Sequence, residues 1–320
     1  MNKTKLIERF KNSQVSSVST ALVLLLILVS IFNGQRFWKI GNLITVMSNA
    51  SIVGILACGM TLVIILGGID LSVAANAAFA SIVMGLFYVK LGIPPYLALI
   101  LGLIISAAFG VINGMIIAYL RFNPMITTLS MQLIVRALCY TTTNAASLEV
   151  GGSFFKAIGR TSVFGRLPIY VLYFLAVIAV FAYVLSKTAY GRRVFAIGGN
   201  ESATYLSGVN VKKNKVITYG LCGMLAGLAG IANALSVSYA NPQAMTGREF
   251  EVIASVVLGG VSLNGGKGSM LGTFLGVLVM SIISNVLILI GIQSYWQSFA
   301  QGVVLLIAVY IDGLRTGGNS

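Results

Sequence analysis

Apolar residues in this chain are gathered into runs of about 20, the length an α-helix needs to cross the ~30 Å hydrocarbon core of a bilayer. Ten such runs lie near 17–33, 42–66, 71–90, 96–120, 125–143, 168–186, 215–239, 250–264, 268–291 and 296–312, with short polar joints between them. In lipid each backbone N–H and C=O has to be satisfied within its own segment, so runs of this length predict helices. The expected fold is all-α, a polytopic transmembrane helical bundle of about ten spans, built as one domain over residues 1–320. The eighth run is short enough to be re-entrant or broken. With 58% hydrophobic and 9% charged residues, the chain lacks the polar surface of a soluble globule and leaves no room for a soluble catalytic domain.

A net charge of +14 would suit nucleic acid only if the bases shared an exposed face, and they do not. They cluster at the ends of apolar runs. Lys3, Lys5, Arg9 and Lys11 precede the first run, while Lys187, Arg192, Arg193, Lys212, Lys213 and Lys215 fill one long loop. The positive-inside rule puts both groups in the cytoplasm, with Arg121 and Arg315 on the same side. An even number of crossings then makes both termini cytoplasmic. Outside lie the joints around Arg36 and Lys39, Lys90, Glu149 to Arg166, and Asn241 to Glu249. The basic segment and first apolar run resemble the start of a signal peptide, but Asn33, Gly34, Gln35, Arg36 and Phe37 supply no small-residue cleavage site, so an uncleaved first span is expected.

Few side chains can carry chemistry. The chain has no histidine, and Cys58, Cys139 and Cys222 stand apart within apolar stretches as small core residues. No metal site or cofactor is expected. Residues 259–269 run GGVSLNGGKGS, which fails as a phosphate-binding loop because Val261 occupies a required glycine position and Gly268 follows the lysine. Of the seven acids, Asp70 alone is set between two apolar runs, and the other six fall in loops or at span ends. Asp70 has two readings: a gate or path-lining group, or, with Ser72, a cap on the free N–H groups that begin the third span. Arg136, well inside the fifth run, is a candidate to face the same interior.

Small residues recur four apart, as in Gly110 and Gly114, Gly223 and Gly227, and Gly268, Gly272 and Gly276, which suits close helix packing. LGGIDLS (66–72) is echoed by LGGVSLN (258–264). A glycine pair between apolar segments breaks a helix, and equivalent breaks in two halves of a transporter point to the translocation path. In the basic loop, 187–214, Asn200 suits an N-cap, Glu201 a first turn and Gly208 a C-terminal close. A helix of about two turns is expected from Glu201 to Ser207, with Ala203, Tyr205 and Leu206 giving it an apolar surface for a cytosolic partner or for headgroups.

GMTLVI (59–64) leading into GGIDLSV (67–73), then GRRVFAIGGNESATYLSGVNV (191–211), LCGMLAGLAG (221–230) and FEVIASVVLGGVSLNGGKGS (250–269), together resemble the permease subunits of ribose-type ABC importers. The resemblance runs through most of the chain from residue 59 onward. It implies a non-enzymatic translocation subunit in a cytoplasmic (inner) membrane, working with an ABC ATPase subunit, an extracytoplasmic solute-binding protein and a second permease subunit, identical or different. Under it, Gly198, Gly199, Asn200, Glu201, Ala203, Leu206 and Gly208 inherit the coupling to the ATPase. A monosaccharide is the expected cargo, with nucleosides or signalling sugars as alternatives. Asp70, Ser72, Asn76, Asn113, Thr127, Ser130 and Gln132 are candidates to line the path, though each also suits a bond to a neighbouring helix backbone. The rival class is an ion-coupled secondary transporter working alone, which the single candidate acid and the lack of histidine disfavour. A membrane-embedded enzyme lacks an acid/base or metal constellation.

Overall fold

The computed structural model describes residues 14–163 and 165–317, so the N-terminal bases and Glu8 lie outside the described residues. In chain order come α1 (Gln14–Phe37), α2 (Ile40–Ile65), α3 (Val73–Gly85, widening into a π turn over Leu86–Lys90), α4 (Pro95–Tyr119) and α5 (Pro124–Thr143). The segment β1 (Leu148–Glu149), α6 (Ser153–Gly159), β2 (Ser162–Val163) and β3 (Leu167–Pro168) leads to α7 (Ile169–Lys187), α8 (Ala189–Gly199), α9 (Glu201–Leu206) and α10 (Val211–Val237). After β4 (Tyr239–Ala240) follow α11 (Arg248–Leu258), α12 (Met270–Leu289) and α13 (Ser294–Gly317). The described strands form two short antiparallel pairs, β1 with β4 and β2 with β3.

Among the described residues seven helices are long and apolar enough to cross a membrane: α1, α2, α3 with its π turn, α4, α7, α10 and α12. The fifth expected span is α5, 20 residues with Gln132 and Arg136 inside it, and the tenth is α13, whose apolar stretch is Tyr295–Tyr310. The eighth is truncated: α11 has 11 residues. At 1.5 Å per residue it is about 16 Å long, roughly half the hydrocarbon core.

Enclosure explains the all-round apolarity of the central helices. Every residue from Val53 to Ile65 of α2 and from Val73 to Gly85 of α3 is buried against protein, so neither needs a polar face. α1 instead exposes Leu24, Ile27, Leu28 and Ile31, as a helix at the bundle's lipid-facing rim should. The expected small-residue contacts are present: Gly110 lies against Tyr219 and Gly223, Gly223 against the Ser106 carbonyl, and Gly276 against Ser255 and Gly259. These clamp α4 to α10 and α12 to α11, where backbone can approach backbone only without a Cβ.

The two Gly-Gly breaks share one geometry, displaced by a residue. Gly67 N–H bonds Ile64 O and Gly68 N–H bonds Val63 O; Gly260 N–H bonds Val257 O and Val261 N–H bonds Val256 O. Both helices thus end in the paired 5→2 and 6→1 bonds of a Schellman motif, with φ +91° at Gly67 and +85° at Gly260. The turn uses the first glycine of one pair and the second of the other.

The joint from Asn241 to Glu249 packs against the bundle. Arg136 Nη1 donates to Pro242 O at 2.6 Å and Ala244 O at 3.0 Å, anchoring the segment against the interior of α5. Arg136 is therefore committed to loop carbonyls and makes no pair with Asp70. Gln132 and Arg136 of α5 thus both reach the stretch that leads into α11.

Candidate functional site

The basic loop folds as two helices. Thr188 opens α8, its Oγ1 accepting Gly191 N–H at 3.2 Å, and Tyr190 shares a 2.8 Å hydrogen bond with Thr218 of α10. Burial pushes the Tyr190 phenol up to about 12, so it stays neutral and holds α8 to α10 by hydrogen bonding. Asn200 then turns extended (φ −159°, ψ 102°) and caps α9, its Oδ1 accepting Ala203 N–H at 2.9 Å. Gly208 closes the turn at φ +86°. The expected helix ends one residue early, at Leu206 with Ser207 as its cap, while α8 was hidden by its own bases and glycines. Glu201 is tied to Lys215 of α10 at 2.8 Å. The outer face presents Tyr205, 69% exposed, and Leu206, 84% exposed. Such apolar exposure on a short, capped helix suits a protein contact.

The base of this knob is a junction of glycines. A methyl on Gly198 would strike the Ile65 carbonyl at the end of α2 and the Gly266 amide; one on Gly265 would meet Gly198 and Gly67; one on Gly266 would meet Gly199. Gly266 N–H donates to Ile65 O at 2.8 Å across the junction. Three chain segments, the end of α8 and the loops that follow α2 and α11, thus meet backbone to backbone. The second loop is further held by Asp312 of α13, which accepts Leu263 N–H at 3.0 Å and the Ser262 hydroxyl at 3.3 Å. The knob therefore rests on both loops through backbone contacts alone.

The polar candidates divide into two groups. Asp70, Ser72, Asn76 and Asn113 are each 1% exposed or less. Asp70 Oδ1 accepts both Ser72 N–H (2.9 Å) and Ser72 Oγ–H (2.6 Å), and Asn113 Nδ2 donates to Ser72 Oγ at 3.0 Å. Asn76 Nδ2 donates to Ser106 O at 3.0 Å. Asp70 therefore caps the residue before α3, as an Asx turn does, rather than the helix's own first turn, and Ser72 makes no side-chain cap bond. Thr127 is buried and bonds Asn123 O at 2.9 Å. Ser130 is exposed, and Gln132 is half-buried with its Nε2 donating to Glu249 Oε1 at 2.9 Å.

That last bond points to residues the sequence reading passed over. Glu249 and Glu251, read as span-end acids, are 3% and 2% exposed in the first turn of α11. Glu251 Oε2 pairs with Arg248 Nη1 at 2.7 Å. Their nearest signal was position: two carboxylates just after a glycine and at the head of an apolar helix, where the helix dipole favours negative charge. The three cysteines are free and buried.

Residues 42–309 match the family model described as branched-chain amino acid transport system / permease component. The chain is 39% identical over 302 residues to the ribose import permease protein of Escherichia coli (strain K12), covering 92% of this chain and 93% of that protein. It is 34% identical over 319 residues to the fructose import permease protein of Rhizobium meliloti (96% and 87% covered). Against the L-arabinose ABC transporter permease protein of Azospirillum brasilense it is 34% identical over 280 residues (86% and 80% covered). No solved structure matches it.

Proposed function

The chain belongs to the family of branched-chain amino acid transport system permease components, and on that premise we propose that it is the membrane-spanning subunit of an ATP-driven importer of a monosaccharide. One observation carries the reading: the chain aligns over nearly its whole length with permeases named for ribose, fructose and arabinose. It is a multi-pass inner-membrane protein and a translocation component, with ATP hydrolysis in a separate subunit. An ATPase and an extracytoplasmic solute-binding protein complete the system.

The finer arrangement is our reading. The bundle makes ten crossings with both termini in the cytoplasm, the eighth completed by the descending 241–247 segment together with α11. Two permease subunits, alike or different, flank the path. Gly198, Gly199, Asn200, Glu201, Ala203, Leu206 and Gly208 carry ATPase movement into the bundle. The exposed Tyr205 and Leu206 and the glycine junction beneath them support this. A rigid knob fixed to two loops moves as a lever when its docking partner closes.

Reconstitution tests the function. Proteoliposomes holding this chain, the ATPase and the binding protein should import D-ribose, D-fructose or L-arabinose only with ATP, and the chain alone should hydrolyse no nucleotide. Uptake by the chain alone, driven by a proton or sodium gradient, would overturn the assignment.

A further inference from the structure

We propose that Glu249, steadied by Gln132, is a binding station for hydroxyl groups of the translocated solute, a proposal that rests on the importer reading above. An ionised carboxylate only accepts hydrogen bonds and offers about four lone-pair sites on two oxygens. Oε1 is engaged by Gln132, but Oε2 is buried without a partner, and among the described residues no other carboxylate has a buried oxygen left so. A buried acceptor left empty is destabilising, and a chain that keeps one usually has a use for it.

The surroundings keep this oxygen free. Both nearby cations are engaged elsewhere, Arg248 by Glu251 and Arg136 by the Pro242 and Ala244 carbonyls. Neither neutralises Glu249. Glu249 sits in the first turn of α11, where the free backbone N–H groups favour an acceptor. The location fits a path. Gln132 is eight residues into α5, about 12 Å along it, near mid-height of a 20-residue helix. A half-buried Gln132 and a buried Glu249 at that height suit the bundle interior rather than lipid, whereas Ser130 sits among the exposed Ile126, Leu129, Leu133 and Ile134.

A carboxylate oxygen with free lone pairs and no fixed cation suits a neutral polyol, whose neighbouring hydroxyls donate to it directly. The other ligand it would attract is the ammonium of an amino acid, so L-leucine is the competing probe. Saturation-transfer NMR of D-ribose, D-fructose, L-arabinose and L-leucine against the assembled permease–ATPase complex in nanodiscs separates them. We expect one of the sugars to bind. Glu249→Gln should weaken it roughly 10- to 100-fold, the range for losing a hydrogen bond to a charged group. Glu249→Asp should restore part of the loss. ATPase co-purification and Tm should stay unchanged, which a merely structural role would not allow. Equal binding by wild type and Glu249→Gln overturns the proposal, as does binding of L-leucine alone. So does a wild-type complex that imports a sugar yet binds none. Failure of that complex to import any of the three sugars overturns the underlying reading instead. Should Glu249→Gln not assemble, the wild-type complex still decides: of the monodeoxy analogues of whichever sugar binds, one for each ring hydroxyl, at least one must bind tenfold more weakly or worse, and equal binding of them all overturns the station.

Discussion

Gly198 and Gly199 are adjacent, identical in chemistry and opposite in tolerance. A methyl at Gly198 collides with the Ile65 carbonyl and the Gly266 amide, both backbone, while one at Gly199 meets nothing within 4 Å. Backbone cannot rotate aside, so Gly198→Ala should destabilise by about 1–3 kcal/mol, the usual range for overpacking, and cut import at least tenfold. Gly199→Ala should match wild type in Tm and lose far less import than Gly198→Ala. Equal behaviour of the two variants would remove the junction from the coupling route. Beside them, Asn200→Ala deletes the cap of α9 at about 1 kcal/mol. Amide exchange at Ala203 and Thr204 should then accelerate about fivefold, with Asn200→Asp close to wild type. Asn200 and Gly208 were legible because a cap and a left-handed close each favour a few residue types. Glu249 was not, because its burial depends on Arg136 drawing a loop inward, a contact between residues more than a hundred positions apart.

At the scale of elements, long apolar runs were readable because lipid demands length and uniformity, and α1, α2, α4, α7, α10 and α12 follow them. In sequence α8 resembles a loop, because Arg192, Arg193 and two glycine-containing stretches interrupt it; its helix is held by the buried Val194 and Ile197 and by Tyr190 on Thr218. α11 is shorter than its apolar run because Gly259, Gly260 and Val261 continue the apolar pattern while their hydrogen bonds terminate the helix. For α9 the prediction concerns its exposed face. Leu206 is 84% exposed and has little fold contact to lose, so Leu206→Asp should change stability by no more than about 0.5 kcal/mol while abolishing co-purification with the ATPase. Retention of the ATPase by Leu206→Asp would assign docking elsewhere. The Glu201–Lys215 pair is half exposed on the Glu201 side, so it contributes no more than about 1 kcal/mol, and Glu201→Gln should change salt sensitivity of coupling rather than assembly.

For the whole molecule, the distribution of bases predicts which side is cytoplasmic, and the junction adds a constraint of its own. The loops after α2 and α11 and the end of α8 have to share a side, since their backbones touch. Any topology that separates them is excluded by contact alone, whatever the charges suggest. The segment carrying β1 and α6 then belongs to the opposite side, because α7, long and apolar enough to cross, separates it from α8. Impermeant maleimide reads this directly, and the native thiols leave a quiet background: Cys58, Cys139 and Cys222 are all buried, and a buried thiol reacts slowly. In intact cells Phe154→Cys, on the exposed face of α6, should label at once, and Leu206→Cys should label only after the membrane is opened. Labelling of Leu206→Cys in sealed cells would put the knob beyond the reach of any cytosolic ATPase, and the lever built on Gly198 would have nothing to drive it.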